Sequence, residues 1–391
     1  MRDSGDVGPM TVSLDERPDN PPSRVLLFSQ RNIYEVEVWR SAIREFEEIV
    51  GEIDSVDVLA PQPLKWFKQR KRIALRVGRD SRIVLNPGVP RAKLDRRYDL
   101  FVAVCEKPSE LLNVNAAMEH WKDSFKTSVC WLTELWVQLM PVFTSSLKVL
   151  SNFDYVFSSL SQSVEPINGV IRGRCFYMPF GVDTVLFFPF ARPVKRLIDV
   201  LSIGRRSERE HQALLKMARD GEIFYIYDTL RDLHTHDLQE HRFLLASMAK
   251  RSRYFVVHPG KLDRADERGH QKEMGSRFFE GAAAGTIMIG ERSGNEQFEK
   301  EASWPDAVID LPRQSGGIED VIREMDGQPD RQAHMRSTNV IQSLLRHDWV
   351  YRWEAVLRMA GLEPMPQLLK RKETLRRLAR MVQDKPLASE G

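Results

Sequence analysis

Hydrophobic positions along this chain fall into two series of short apolar runs separated by longer amphipathic stretches. Residues 24–29, 56–60, 98–105, 127–132, 154–159 and 175–181 are apolar almost throughout, as in YDLFVAVC at 98–105. A parallel strand covered by helices on both faces needs that composition, whereas a strand with one wet face alternates. Between the first two runs Ile43, Phe46 and Val50 recur at helical spacing. After the Pro-containing passage 187–196 the pattern restarts, with apolar runs at 198–204, 222–228, 253–259, 286–291 and 307–311. Helical stretches separate these as well. The next one carries an i, i+3, i+4, i+7 stripe of Ile318, Val321, Ile322 and Met325.

Two consecutive series of β-then-α units predict an α/β architecture of two doubly wound, Rossmann-like domains facing a central cleft. A helical pattern over 340–362, stopped by Gly361 and Pro364, is expected to cross both. The expected divisions are a disordered leader at 1–23, domains at 24–188 and 189–345, a crossing helix at 346–364 and a basic amphipathic tail at 365–391. The length of 391 residues agrees with two domains, at roughly 150 residues each.

Composition narrows the functional classes. No run approaches the roughly 18 apolar residues of a membrane span, and residues 1–23 lack the apolar core of a signal peptide, so a cytoplasmic location is expected. Cys105, Cys130 and Cys175 are far apart and lie in apolar stretches, which suggests neither a disulfide framework nor a zinc knuckle. Net charge is only +3, from 58 Lys and Arg against 55 Asp and Glu, which argues against a dedicated nucleic-acid binder. The cations are nevertheless clustered, at 65–82 and 368–382. In the second cluster Leu368, Leu375, Leu378 and Val382 share a helical face rimmed by Lys370, Arg371, Arg376, Arg377 and Arg380. Peripheral contact with the inner membrane face is one reading of the two clusters, and a solvated charged surface is the other.

Open parallel sheets bind ligands outside the carboxyl ends of their strands, so the strand-to-helix turns are where chemistry is expected. In SIGRRSERE (202–210) Gly204 lets the backbone approach a ligand, and Arg205, Arg206 and Arg209 can pair with phosphate oxygens. In KEMGSRFFEGAAAG (272–285) Gly275 and Ser276 stand at a helix start, whose free N–H groups attract an anion. Arg277 adds a cation there, Glu280 can accept from a ribose diol, and Ala282 to Gly285 allow close packing on the sheet. A diphosphate beside a ribose describes a nucleoside diphosphate.

The run from Gly275 to Ile289 resembles the signature of retaining, two-domain GT-B glycosyltransferases of the group-1 (family-4-like) kind, with Gly275, Glu280, Ala283, Gly285 and Ile289 in register. The RFFE core at 277–280 is similar to the divergent spore-coat-type branch. FDYVF followed by YMPFGVDTVLFFP, the SIGRR turn and residues 340–362 resemble further parts of that family. Departures are Lys272 where the family has a donor-contacting Glu, Glu273 displaced by one, Ile287 for Pro, and SGNEQF, with Gly294 and Glu296, for G-G-x-x-E.

The resemblance implies sugar transfer from a nucleotide-diphosphate sugar to a glycan, lipid or small-molecule acceptor, with retention. The acceptor would lie on the N-terminal domain and the donor on the C-terminal one. Arg205, Arg209 and Arg277 would stabilise the leaving diphosphate, and Gly204, Gly275, Ser276, Glu280 and Glu296 would hold the donor. No D-x-D triplet and no G-x-G-x-x-G fingerprint occurs, so neither a metal nor another cofactor is expected. WLTELW (131–136) offers Trp131 and Glu134 as acceptor contacts, with core tryptophans as the plainer reading. HTHD, with His234, His236, Asp237 and later His241, fits no strong metal-ligand spacing, and His258 is read as a core or rim residue. The alternatives are a non-catalytic nucleotide- or glycan-binding protein and a nucleotide-sugar epimerase on the same fold.

Overall fold

The computed structural model describes residues 22–34, 37–118, 121–189, 195–228, 237–311, 317–385 and 387. Its chain divides into two compact units. The first comprises residues 1–35, 50–178 and 355–364, and the second residues 36–49, 179–354 and 365–391. Two helices are thereby shared out: Ser41–Ile53 divides at Val50, and Trp349–Ala360 divides at Ala355.

The first unit holds a sheet of six parallel strands, β1 (Val25–Phe28), β2 (Val56–Leu59), β3 (Tyr98–Cys105), β4 (Phe125–Leu132), β5 (Tyr155–Ser158) and β6 (Cys175–Tyr177). Their order is β2-β1-β3-β4-β5-β6. Seven of the eight residues of β3 are buried, with no alternation, as its apolar run requires. Phe101 stacks on Phe125, ring centroids 4.5 Å apart, at the centre of the apolar layer on one side of this sheet. The three cysteines are buried here as free thiols.

In the second unit five parallel strands, β7 (Ile198–Ser202), β8 (Tyr225–Tyr227), β9 (Ser252–Val257), β10 (Ile287–Gly290) and β11 (Ile309–Asp310), are ordered β11-β10-β9-β7-β8. Separate apolar layers cover its two faces. Strand order reverses between β7 and β9, which makes the carboxyl ends of those two strands the expected ligand position.

The helix Ser276–Ala283 lies tight against this sheet. A Cβ at Gly281 would stand 2.9 Å from Met288 Sδ and 3.2 Å from Phe255 Cδ1, so a larger residue there would require the Met288 side chain to shift. Gly285 then takes the left-handed conformation, φ 64°, that ends the segment.

The helical pattern over 340–362 is not one helix. Pro329–Arg346 ends at His347, and Trp349–Ala360 begins anew after Asp348, whose Oδ1 accepts from the Val350 N–H at 3.0 Å. The same carboxylate accepts from Thr184 Oγ1 at 2.7 Å and pairs with Arg371 at 2.8 Å. The basic segment forms the helix Pro366–Asp384, and its Leu368, Leu375, Ala379 and Val382 are buried, packing it on Pro329–Arg346. That apolar stripe, read from sequence as a face for an anionic surface, serves the fold. No helix among the described residues is long and apolar enough to cross a membrane.

Gly290 tests the close approach of β10 and β9, since a Cβ there would lie 1.7 Å from the Val257 carbonyl oxygen. Gly290→Ala is expected to destabilise the second unit by about 3 kcal/mol, the upper range for overpacking. A lowered unfolding midpoint in urea is the measurement.

Candidate functional site

At the reversal of strand order, β7 runs into Ile203 and Gly204, the latter at φ 89°. β9 runs into His258 and Gly260. The start of Ser276–Ala283 stands beside both. A Cβ on Gly275 would meet the His258 carbonyl oxygen at 3.2 Å, and one on Gly204 would meet Arg277 Nε and Nη2 at 3.9 Å. Gly204, Gly275, Ser276 and Arg277, separated by some seventy residues of chain, are thus brought together.

Arg277 is held by two contacts. Its Nε donates to the Ile203 carbonyl at 3.2 Å, and its Nη1 donates to Glu280 Oε2 at 2.5 Å. The other oxygen of Glu280 accepts from Arg242, on the helix Leu238–Lys250. Glu280 is 1% exposed, so both oxygens of a buried carboxylate are engaged by guanidinium groups. Arg242 turns its remaining donors to Glu45, 2.7 Å from Nε and 3.1 Å from Nη2. Glu45 Oε1 also accepts from Trp349 Nε1 and from the Asp183 N–H, each at 2.7 Å.

Burial opposes ionisation of Glu280, yet Arg277 and Arg242 together hold its carboxyl down at about 2. Glu45 differs: burial raises its carboxyl, outweighing its share of Arg242, and Asp183 pushes the same way. Two cations against one decide the contrast. The guanidinium of Arg242 is buried too, but its two carboxylates hold it firmly charged. His241, next along, is lowered by burial and then by Arg277 and Arg242.

The Gly204 turn carries its own ionic partners. The Gly204 N–H donates to Asp228 Oδ2 at 2.9 Å, and Arg206 Nη2 stands 3.1 Å from Oδ1 of the same carboxylate. Arg206 also lies over the Tyr227 ring, 5.2 Å from its centroid. Arg205 is exposed and pairs with Asp263 at 2.5 Å. Arg209 is exposed in the first turn of the helix Glu208–Arg219, where Glu210 reaches His258 Nε2 at 2.7 Å. His258 is buried, as its core or rim reading expects, and its Nδ1 has no hydrogen-bond partner among the described residues.

Other sequence-nominated residues lie elsewhere. Glu296 opens the helix Glu296–Glu301 with its side chain exposed and paired to Lys300 at 2.6 Å, outside the Arg277 cluster. Lys272 pairs with Glu291 at 2.7 Å, whereas Glu273 is buried and accepts from Gln271 Nε2 at 3.3 Å. In the first unit Trp131 is 1% exposed, with its Nε1 donating to Ser159 Oγ at 2.8 Å. Its ring is a core element of β4 and presents no face for a sugar, which corrects the stacking expectation. Glu134 accepts from Trp136 Nε1 at 3.0 Å.

His234 and His236 lie outside the described residues, and Asp237 caps Leu238–Lys250 by accepting from the Gln239 and Glu240 N–H groups. Among the described residues no three His, Cys, Asp or Glu side chains converge as metal ligands. Sequence reasoning missed Glu45, Arg242 and Asp228. An Asp directly after an apolar strand was a visible signal for the last; nothing local marked the other two.

No protein-family model and no curated protein sequence matches this chain. Solved structures do. An alpha-glucosyltransferase in complex with UDP and a 13-mer DNA containing a HMU base superposes with a TM-score of 0.53 at 10% identity, over 88% of this chain and 100% of that one. An alpha-glucosyltransferase in complex with UDP-glucose and DNA containing an abasic site gives 0.51 at 11% identity, over 87% and 100%. The fold is GT-B. Within a GT-B fold the second sheet's reversal point, with Gly204 and Arg277, is the place where a ligand is to be sought.

Replacing Arg242 with Met leaves Glu45 and Glu280 buried without their common cation and is expected to cost about 3–5 kcal/mol in an unfolding titration. The depressed carboxyl of Glu280 predicts the pH response. Its contribution to stability is complete above its ordinary value of 4.5 and is lost as pH falls towards about 2. Glu45, raised, acts oppositely, its contribution being lost as pH climbs above 4.5. Glu280→Gln should therefore flatten the acid limb of the stability profile between pH 4.5 and 2, measured by thermal unfolding across that range.

Proposed function

We propose that this chain is a nucleotide-sugar-dependent glycosyltransferase whose donor diphosphate lies at the carboxyl ends of β7 and β9. The observation that carries the proposal is the fixed guanidinium of Arg277 beside the Gly204 turn and the helix start at Gly275 and Ser276. A preset cation and free helix-start N–H groups stabilise charge that grows on a leaving diphosphate, without reorganising as it grows. Arg205, beside Gly204 and paired with Asp263, and Arg209, in the first turn of Glu208–Arg219, are further exposed cations near this turn. The two alpha-glucosyltransferase structures that share the fold contain UDP and UDP-glucose, which supports a uridine donor.

Glu280 acts in this reading by fixing Arg277, since both its oxygens already accept from guanidinium groups. No side chain is assigned as base. The departing diphosphate takes the acceptor's proton on the face it leaves, so the sugar keeps its configuration, and transfer requires no metal. The acceptor is a glycan, a lipid-linked sugar or a small molecule held by the first unit, where Glu134 remains a candidate contact.

Calorimetric titration of UDP and GDP against the wild type, Arg277→Met and Glu280→Ala tests the site. Loss of one charged hydrogen-bonding group predicts binding about tenfold to a hundredfold weaker in Arg277→Met, with Glu280→Ala weakened in the same direction. UDP affinity unchanged in both variants would remove the cluster from the donor site.

A further inference from the structure

We propose that the helix Phe67–Ser81, with the turn that leads into it, is a docking surface for an anionic lipid bilayer. The inner face of this helix is committed to the first unit: Ala74 and Gly78 are buried, and a Cβ at Gly78 would fall 2.1 Å from Ser145 Oγ. The outer face is therefore held in a fixed orientation. It carries Lys68, Arg72, Arg76 and Arg79, spaced so that all four fall on one side, and all are exposed.

Eight of the eighteen residues from 65 to 82 are Lys or Arg, and Asp80 is the single acid. Asp80 lies 3.5 Å from Arg79, while Lys68, Arg72 and Arg76 have no ion pair among the described residues. Like charges one helical turn apart repel one another, so the stripe weakens the isolated helix and gains from an anionic partner.

Large apolar side chains are exposed among these cations. Trp66 is 70% exposed and Ile73 59%, with Leu64 and Ile83 exposed at the two ends. Trp66 holds φ at 66°, a left-handed conformation that a bulky residue adopts only at a cost, and the conformation leaves its indole in water. Phosphates along a nucleic acid would satisfy the cations but give Ile73 and Ile83 nothing to bury against. A bilayer interface serves both, since headgroups attract Lys and Arg while Trp and aliphatic side chains enter the boundary layer. The helix Pro366–Asp384 is also basic, but its main apolar stripe is consumed by internal packing. The inference does not rest on the donor site.

The test is co-sedimentation of the full chain with vesicles of phosphatidylcholine and of phosphatidylglycerol, followed by tryptophan fluorescence. Binding is expected to phosphatidylglycerol alone and to weaken with salt. At about fivefold per cation, the double variant Arg72→Gln/Arg76→Gln should bind about thirtyfold more weakly. Trp66→Phe should abolish the blue shift on binding. Circular dichroism and the melting midpoint show whether each variant is folded, and Lys68→Gln alone, expected about fivefold weaker, serves should the double variant not fold. Absence of binding, equal binding to phosphatidylcholine, or full binding by the folded variants would overturn the proposal. Tighter binding to a duplex DNA fragment than to the anionic vesicles, indifferent to Trp66, would overturn it in favour of a nucleic acid.

Discussion

A single guanidinium organises the second unit. Arg242 is buried between Glu45 and Glu280, and those carboxylates come from segments 197 and 38 residues away in sequence. Taking three charges out of water carries a large desolvation cost, recovered only when each donor and acceptor finds a partner in good geometry. Here Trp349, the Asp183 N–H and Arg277 fill the carboxylate positions that Arg242 leaves open. The network thus transmits one requirement, neutralisation of buried charge, outward to a cation beside the Gly204 turn.

The same device recurs where Arg371 meets Asp183 and Asp348. Asp348 also starts the helix Trp349–Ala360 and accepts from Thr184, so one carboxylate sets a helix boundary and a tertiary contact. Apolar packing alone tolerates sliding between helices, because one methyl group resembles another. Paired buried charges admit far fewer arrangements, and in this unit one of them, Glu280, lies on the helix that starts at Ser276.

The strands were legible in the sequence because a parallel strand buried on both faces must be apolar along most of its length, and β3, with Asp99 as its one charged residue, is. The break at Asp348 was legible in principle, since an Asp just ahead of a Trp-rich amphipathic run is a capping signal. Glu280 was found as a candidate, but its partners were not. Periodicity tells which side of a helix a residue faces and is silent about a guanidinium contributed by another helix. Trp131 erred in the opposite sense: an aromatic beside an acid looks like a sugar platform until the position of β4 inside the sheet is known. The branch of the GT-B family suggested by RFFE rests on four residues, of which Arg277 and Glu280 bond to each other and Phe278 and Phe279 are buried.

The way residues are shared between the units bears on how the protein can be made. Domains usually fold in the order in which they emerge during synthesis. The second unit begins with residues 36–49, while the first is not complete until residues 355–364 are present, where the Glu363 carbonyl accepts from Arg24 at 2.8 Å. Neither unit can therefore finish before almost all of the chain has been translated. Glu45, translated early, stays without its buried partner until an arginine made 197 residues later has joined the chain.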